Sequence, residues 1–357
     1  MQVSDGLALQ AGGVQLLALM GGSSAAVVSG GQASSLPAIA VHLARRADVD
    51  ALLWARDPAQ VAAMAREGEN RRYLPDVVLP SPLRLTGELS DLRGAELLIA
   101  APPVAALPGL AAVLAQAGLA APLVWLSKGF LPVPEFPGGA ALPHQQIAPR
   151  WPAPVGVVSG PSFAEEVARG LPTAVSVAAT DPALAARVAA LLRGSTLRAY
   201  ETPDLPGVEV GGAVKNVLAI AAGASDGLGF GYNARAALIT RGLAETGRLS
   251  AALGGQRETL MGLSGLGDLV LTCTGDLSRN RRVGLALAHG APLADILRDI
   301  GHVAEGVAAS TMVDGLARYH GVDMPICAAV HQTLHGGLPV RDAVAALLRR
   351  EPRAEQH

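Results

Sequence analysis

Several residue types are scarce in this sequence, and each shortage narrows the classes of protein that it can encode. Aromatic residues make up 3% of the 357 residues, and the two cysteines, Cys273 and Cys327, lie far apart. They cannot form a disulfide framework, which indicates reduced thiols in a cytosolic protein. The net charge is −2 and no long run of one sign occurs. Nucleic acid is therefore not an expected partner.

Long hydrophobic runs are also missing. No apolar stretch reaches the roughly 18–20 residues that span a bilayer, and the apolar segment from Val14 to Val28 is interrupted by Gly21–Ser24. The first basic residue is Arg45, so the charged start of a signal peptide is absent. We therefore expect a cytoplasmic protein with no membrane span, and we predict no metal site.

Lysine is the scarcest of the charged residues. Of the 28 lysines and arginines, only Lys128 and Lys215 are lysine. Such a bias usually reflects base composition, and surface lysines accept replacement by arginine. A lysine that remains is a candidate for a role that arginine cannot fill, because a desolvated lysine can release its proton. Both lysines lie in glycine-rich segments.

The order of patterns predicts two domains. Short apolar runs alternate with helical stretches such as 38–47, 58–67 and 183–193 in the first half, which is typical of a parallel, doubly wound α/β sheet. The predicted strands are 14–20 or 25–28, 51–54, 97–101, 123–127, 155–159 and 174–178, with an irregular loop at 131–154. From residue 208 onward the pattern is almost entirely helical. We predict an extension (1–13), a Rossmann-type domain (14–205), an all-α domain (206–350) and a tail (351–357).

A dinucleotide site needs glycines in the first turn of such a sheet. The segment 29–38 between a strand-like and a helix-like run has Gly31, but Ala33 and Leu36 occupy the other two glycine positions. A glycine and serine turn without a ligand remains the alternative for this segment alone. Arg56, after the next strand, favours the 2′-phosphate of NADP, although an ordinary solvated strand end is the alternative.

Further polar residues interrupt apolar or glycine-rich segments. Lys128 follows a strand, and Gly160 and Ser162 follow the next one, with Ser162 placed as a helix N-cap or a ligand donor. Lys215 lies within an apolar helix, where burial would lower its pKa, unless it reaches solvent.

Two later segments complete the set of candidate residues. Asp268 is the one acid of an apolar segment and a candidate partner for a substrate hydroxyl or for Lys215. Ser278, Arg279 and Asn280 precede a helix and could form a phosphate site, with a solvated basic turn as the alternative.

These segments, in this order, resemble the bacterial NAD(P)-dependent glycerol-3-phosphate dehydrogenase family from about residue 38 to residue 350. The most specific are 159–164, 211–216, 225–231, 265–273 and 278–282. The resemblance implies a Rossmann domain and a helical domain like that of 6-phosphogluconate dehydrogenase, with the active site between them. It also implies NADP or NAD as cofactor, dihydroxyacetone phosphate as substrate, glycerophospholipid synthesis as purpose, and a homodimer.

The resemblance assigns roles to particular residues. Lys215 would be the catalytic proton donor and acceptor. The implied substrate-binding residues are Lys128, Gly160, Ser162, Lys215, Asp268, Ser278, Arg279 and Asn280. The implied cofactor-binding residues are Ser34, Ser35, Arg56, Lys128, Ala164, Arg279, Val303 and Glu305. The glycine turn departs from the family pattern, which has glycine at positions 33 and 36.

Two other functions fit part of the sequence. A dehydrogenase of the β-hydroxyacid type has the same combination of a Rossmann domain, helices and a catalytic lysine, but it does not need the phosphate-suited segment 278–282. A relative with impaired cofactor binding is the second alternative, because the glycine turn is atypical.

Overall fold

The computed structural model describes residues 15–20, 35–300 and 304–349. These residues group into two compact units. The first unit contains the described residues up to Pro132 together with Ala141–Glu209, and the second contains Val133–Ala140 and the described residues from Val210 onward. The boundary between the units lies after residue 209 within a helix, while the domain limits expected from the sequence stay a prediction.

The first unit is built on a sheet with helices packed against it. Its strands are β1 (Gln15–Met20), β2 (Ala51–Ala55), β3 (Glu69–Asn70), β4 (Leu74–Val78), β5 (Arg84–Thr86), β6 (Ala95–Ala100), β7 (Leu123–Trp125), β8 (Leu131–Pro132), β9 (Ala140–Ala141, which straddles the unit boundary), β10 (Val155–Ser159), β11 (Thr173–Ala179) and β12 (Leu197–Glu201). Its helices are α1 (Ser35–Ala44), α2 (Pro58–Glu67), α3 (Leu107–Gln116), α4 (Pro143–Ile147), α5 (Ala164–Arg169) and α6 (Pro182–Leu192). The predicted helix 58–67 is confirmed, and the segment 131–154, predicted as an irregular loop, contains short strands and α4.

Eight strands form the main sheet in the order β12-β11-β10-β7-β6-β1-β2-β5. The strands β6, β7 and β10 are parallel, as are β2 and β5. The sheet is nevertheless mixed, because β11 runs antiparallel to β10 and β1 runs antiparallel to both β2 and β6. The sheet predicted as parallel is therefore mixed, and the doubly wound α/β class is confirmed.

The direction of β1 determines which sheet edge its carboxyl end reaches. Leu19 pairs with Ala51 and Met20 pairs with Ala95, so β1 ends where β2 and β6 begin. Met20 therefore lies at the edge of the sheet opposite to Arg56.

The core of the first unit explains why its apolar runs form strands and helices. Strand β2 is buried along its whole length, as expected for a strand covered on both faces. Leu36, in the first turn of α1, is fully buried in the same hydrophobic core. Because Leu36 fills the core, replacing it with glycine would leave a cavity, typically costing about 2–5 kcal/mol for a leucine truncation.

The second unit is helical in the residues described. Its helices are α7 (Leu205–Gly227, which begins in the first unit), α8 (Gly231–Ala252), α9 (Arg257–Leu260), a π-helical turn (Leu263–Gly267), α10 (Asp268–Thr274), α11 (Arg279–Ala288), α12 (Leu293–Ile300), α13 (Glu305–Tyr319), α14 (Pro325–His335) and α15 (Val340–Leu348). Helix α7 is long and apolar enough to cross a bilayer, but 89% of its most apolar window is buried inside the fold. It is therefore the core helix of this unit, and the predicted all-α character is confirmed.

Candidate functional site

Lys128 lies at the carboxyl edge of the sheet in the first unit. The strand β7 ends three residues before Lys128, and the parallel strand β10 ends just before Gly160. Carboxyl ends of parallel neighbours meet at one edge, where doubly wound folds bind ligands. The Nζ atom of the buried Lys128 donates a hydrogen bond to the Gly160 carbonyl oxygen at 3.1 Å. The sheet thus brings together two residues that lie 32 positions apart in the sequence.

Ser162 shares the same acceptor as Lys128. Its hydroxyl donates to the Gly160 carbonyl at 3.2 Å. The N-cap of α5 is Phe163, and no side chain caps this helix, so the prediction of Ser162 as an N-cap is wrong. Because the Ser162 hydroxyl does not cap α5, its oxygen can still accept a hydrogen bond from a ligand. We call Lys128, Gly160 and Ser162 the carboxyl-edge group.

The other predicted cofactor contacts of the first unit are spread over several elements. Arg56 is exposed directly after β2, Ser35 is the first residue of α1, and Ala164 is the first residue of α5. Ser34 and most of the glycine turn at 31–36 lie outside the described residues. The predicted contact Val303, much later in the chain, does so as well.

A nicotinamide dinucleotide fits the described part of this edge. Gly160 has a φ of +145°, and a Cβ atom there would lie 3.0 Å from the Cα atom of Val175. Gly129, next to Lys128, has a φ of +136°, and its Cβ would lie 2.8 Å from Val104. At these two positions glycine lets the backbone adopt a positive φ and pack closely against Val175 and Val104. Lys128 and Arg56 add positive charge suited to a phosphorylated cofactor.

Lys215 lies in the second unit, within the buried helix α7, and its side chain is 9% exposed. Its Nζ atom forms an ion pair with Asp268 and donates to the Thr272 hydroxyl at 3.1 Å. The Thr272 hydroxyl in turn donates to the backbone carbonyl of Asp268 at 2.6 Å. Asp268 is thus the partner of Lys215, as one of the two interpretations of this acid predicted. A buried ammonium is retained here because a carboxylate compensates for its lost hydration.

Close backbone packing brings the two partners together. Gly211, one turn before Lys215 on α7, faces the π-helical turn that immediately precedes Asp268. A Cβ atom at Gly211 would lie only 2.5 Å from the carbonyl oxygen of Ser264. Only glycine allows α7 to approach this turn so closely. The absence of a side chain at Gly211 therefore determines how near the Asp268 carboxylate comes to Lys215.

The start of α11 has the features of an anion site. The Ser278 hydroxyl caps the helix by accepting a hydrogen bond from the Arg281 backbone N–H at 3.2 Å. Arg279 is half-buried and makes no ion pair with any residue that the structure describes. A helix N-terminus and an uncompensated guanidinium both attract anions.

The Asn280 side chain holds the start of α11 against two other helices. Its amide group donates to the Asn216 side chain at 3.0 Å, and its carbonyl oxygen accepts from the Gly306 backbone N–H at 3.0 Å. Asn216 follows Lys215 on α7 and donates to Glu305 at 3.5 Å. Residues predicted to bind substrate and residues predicted to bind cofactor are therefore joined by one chain of hydrogen bonds.

Two residues of this arrangement, Thr272 and Asp226, were not predicted as site residues from the sequence. Thr272 was recognisable only as the residue four positions after Asp268, which is on the same helix face. Asp226 accepts hydrogen bonds from Arg235 at 2.8 Å and from Arg281 at 2.9 Å, so it anchors α11 to α8. The motif 225–231 contained Asp226, but the arginine partners could not be identified before the helices were placed.

The thiol beside this network takes no part as a nucleophile. Burial raises the pKa of Cys273 to about 12, although the positive charge of Lys215 opposes the shift. The thiol therefore stays protonated near neutral pH, and a thiolate mechanism is disfavoured.

A doubly wound α/β unit and a helical unit with a buried lysine–aspartate pair together define the Rossmann-type dehydrogenases with a helical second domain. Family models of the NAD-dependent glycerol-3-phosphate dehydrogenase N-terminus and C-terminus match residues 26–185 and 204–345, respectively. The chain belongs to the NAD-dependent glycerol-3-phosphate dehydrogenase family. The N-terminal match begins at residue 26, after β1.

Individual relatives agree with this membership. The chain is 52% identical over 320 residues to glycerol-3-phosphate dehydrogenase, NAD(P)+, of Aromatoleum aromaticum, covering 88% of this chain and 96% of the relative. It is 53% identical over 322 residues to the protein of the same name in Leptothrix cholodnii, covering 85% and 92%. The crystal structure of glycerol-3-phosphate dehydrogenase from Coxiella burnetii is similar with a TM-score of 0.83 and 40% identity, covering 91% and 98% of the two chains.

Proposed function

We propose that this protein reduces dihydroxyacetone phosphate to sn-glycerol 3-phosphate with NADPH or NADH. The observation that carries the proposal is the buried pair of Lys215 and Asp268 with Thr272, in a chain of this family. The reaction would supply the glycerol backbone of phospholipids in the cytoplasm, with no partner among nucleic acids. A homodimer with a Rossmann domain at 14–205 and a helical domain at 206–350 is part of the same proposal.

Lys215 is the proton donor in this mechanism. When bound, the nicotinamide supplies a hydride to the C2 carbonyl carbon of the substrate. The Lys215 ammonium gives a proton to the developing alkoxide oxygen, and the neutral amine accepts it back in the reverse reaction. Asp268 holds the Nζ atom in place and favours the charged form of Lys215 in the resting protein. Thr272 fixes the direction of the amine from its second side.

Binding of the phosphate group orients the carbonyl. Arg279 has no ion-pair partner among the described residues, so its charge is available to the substrate phosphate. Binding energy from this remote group is used to position the reacting carbon. The substrate-binding residues proposed are Lys128, Gly160, Ser162, Lys215, Asp268, Ser278, Arg279 and Asn280.

Cofactor contacts are proposed at both units. Arg56 after β2 favours NADPH, because its guanidinium suits a 2′-phosphate, whereas the adjacent Asp57 caps α2. The other proposed contacts are Ser34, Ser35, Lys128, Ala164, Arg279, Val303 and Glu305. Glu305 begins α13 and accepts a hydrogen bond from Asn216, which would link cofactor binding to the neighbour of Lys215.

One absorbance assay tests the proposal. Oxidation of NADPH is followed at its absorbance band with dihydroxyacetone phosphate as substrate. We expect phosphate-dependent turnover, with much slower turnover of unphosphorylated dihydroxyacetone. Oxidation of β-hydroxyacids with NADP+ or NAD+ instead would indicate the β-hydroxyacid type of dehydrogenase, and failure to bind either cofactor would indicate the impaired relative.

A further inference from the structure

The second unit contains a cavity of about 880 Å³ that none of the proposed catalytic or binding residues lines. It lies among α7, α8, α14 and α15, with one leucine from α11. Its walls consist mainly of alanine, valine, leucine and isoleucine, and Phe230 is the one aromatic residue among the described lining residues. Pockets of about 300–1,000 Å³ with apolar walls and few polar groups are typical of small-molecule sites.

Three of the four charged residues that line the cavity lie on one face of α8, and the fourth is Asp323. Arg241, Glu245 and Arg248 follow each other at four-residue and three-residue spacing, so they share this face. The buried Glu245 carboxylate accepts the backbone N–H groups of Ile326 and Cys327 at 2.8 and 3.2 Å. Glu245 is therefore engaged with the start of α14.

The two arginines differ in how they are engaged. Arg248 donates to the Asp323 carbonyl oxygen at 2.6 Å from its Nη2 atom. Arg241 is exposed at the cavity and makes no hydrogen bond or ion pair with any residue that the structure describes. An exposed cation that lines an apolar cavity is complementary to an anionic head group.

We propose that this cavity binds an anionic amphiphile with a saturated hydrocarbon chain, the chain lying against α7, α14 and α15 and the head group meeting Arg241. The aliphatic walls favour such a chain, because with a single aromatic residue they offer little surface on which a nucleobase or other ring could stack. A concave cavity of this volume suits a small molecule better than the flat contact typical of protein partners. This site is independent of the proposed dehydrogenase activity.

Chain length gives the first test of the site. The whole protein is titrated by calorimetry with octanoate, decanoate and dodecanoate below their micellar concentrations. Burial of each methylene contributes about 0.8 kcal/mol, so affinity should rise about fourfold per carbon. Affinity that does not depend on chain length would overturn the proposal.

Two variants locate the site. Ala237→Trp places a large side chain in the cavity from an exposed position of α8, so dodecanoate binding should be lost while the melting temperature stays close to that of the parent protein. Arg241→Gln should weaken dodecanoate about tenfold but leave dodecanol binding unchanged. The matched control is Arg257→Gln, which removes an exposed arginine of the same unit that does not line the cavity.

The variants also separate the alternatives. Unchanged dodecanoate affinity in Ala237→Trp would show that the ligand binds elsewhere and would overturn the proposal. Equal weakening by Arg241→Gln and Arg257→Gln would show unspecific charge attraction, which contradicts the proposed head-group contact. If dodecanoate does not bind and Ala237→Trp converts a dimer to a monomer in sedimentation, the cavity face is an interface between copies of this chain.

Discussion

The two lysines of this chain, one in each unit, donate hydrogen bonds to different kinds of acceptor. Lys128 in the first unit donates to a backbone carbonyl, that of Gly160, so its position depends on the path of the chain at the sheet edge. Lys215 in the second unit is held by the side chains of Asp268 and Thr272. A backbone carbonyl orients an ammonium group, whereas a carboxylate also favours its charge. The first arrangement is suited to binding and the second to proton transfer.

Exchange of each lysine for arginine should give the largest contrast between the two units. Lys215→Arg keeps a positive charge but cannot release a proton, so turnover should fall by about 10²–10⁴-fold. Lys128→Arg is the matched control and should mainly raise the Michaelis constants. Steady-state kinetics with NADPH and dihydroxyacetone phosphate measure both effects. Near-normal turnover in Lys215→Arg would remove Lys215 from the chemistry.

The anion site of the second unit should give the next largest effect. Arg279→Ala removes a charge-assisted contact and should cost about 2–4 kcal/mol in catalytic efficiency toward dihydroxyacetone phosphate. Unphosphorylated dihydroxyacetone should be a poor substrate that this change hardly affects. Arg282→Ala, at an exposed position three residues further along α11, is the control. Equal losses on both substrates would mean that Arg279 does not contact the phosphate.

Each unit also contains a buried glutamate on a long helix. Its carboxylate accepts hydrogen bonds from the first residues of a shorter helix that begins with proline. Glu209 accepts hydrogen bonds from the His144 backbone and ring at 3.1 and 2.5 Å, and burial raises its pKa. Burial likewise raises the pKa of Glu245 to about 7, against the opposing effect of the backbone N–H groups at the start of α14 and of Arg248. The first glutamate has an imidazole partner, whereas the second faces mainly backbone donors.

Stability should therefore depend on pH through Glu245. Its pKa is about 7 in the folded protein and near 4.3 when unfolded, so the folded state binds more protons between these values. The free energy of unfolding contributed by this group falls as pH rises through that window. Glu245→Gln should reduce the difference in unfolding free energy between pH 5 and pH 8 by about 1–3 kcal/mol. Denaturant titrations at both pH values measure it.

Two variants sharpen the pH comparison. Glu258→Gln changes an exposed glutamate of the same unit and should leave the pH dependence as it is. Glu209→Gln should act in the same direction as Glu245→Gln, because burial raises the pKa of both carboxyls. An unchanged pH dependence in Glu245→Gln would show that Glu245 does not carry a raised pKa.

The helical unit could be predicted more completely than the sheet. Apolar periodicity indicated an almost entirely helical chain from residue 208 onward, as the structure has it, because one buried face is a local property of a helix. Strand direction is not local. The pairing of β1 with β2 and β6 in antiparallel fashion depends on partners more than 30 residues away. The short strand β12 was missed, because polar residues alternate along it at the edge of the sheet.

The candidate site was predictable in its residue types but not in its contacts. A lysine inside an apolar helix indicated a partner for Lys215, and a lone acid in an apolar segment offered one in Asp268. Nothing in the sequence indicated that the Asn280 side chain would join Asn216 to Gly306, because those contacts form only once three helices meet. Motifs locate chemical groups along the chain, whereas packing determines which of them touch.

The smallest effect is expected where the backbone holds Lys128. Gly160 has a φ of +145°, and an added Cβ would lie 3.0 Å from the Val175 Cα atom. Gly160→Ala should therefore lower the free energy of unfolding by about 1–2 kcal/mol. It should also raise the Michaelis constants as Lys128→Arg does, because the carbonyl that accepts from Lys128 must turn.

Gly118→Ala is the matched control in the same unit, with a φ of +79° and no atom within 4 Å of the new Cβ. It should lose stability through its backbone conformation alone and keep parental kinetics. Since the two changes would act on one contact, adding Gly160→Ala to Lys128→Arg should raise the Michaelis constants little further. Fully additive effects would show that the Gly160 carbonyl does not position Lys128, and the contrast between backbone support in one unit and side-chain support in the other would then fail.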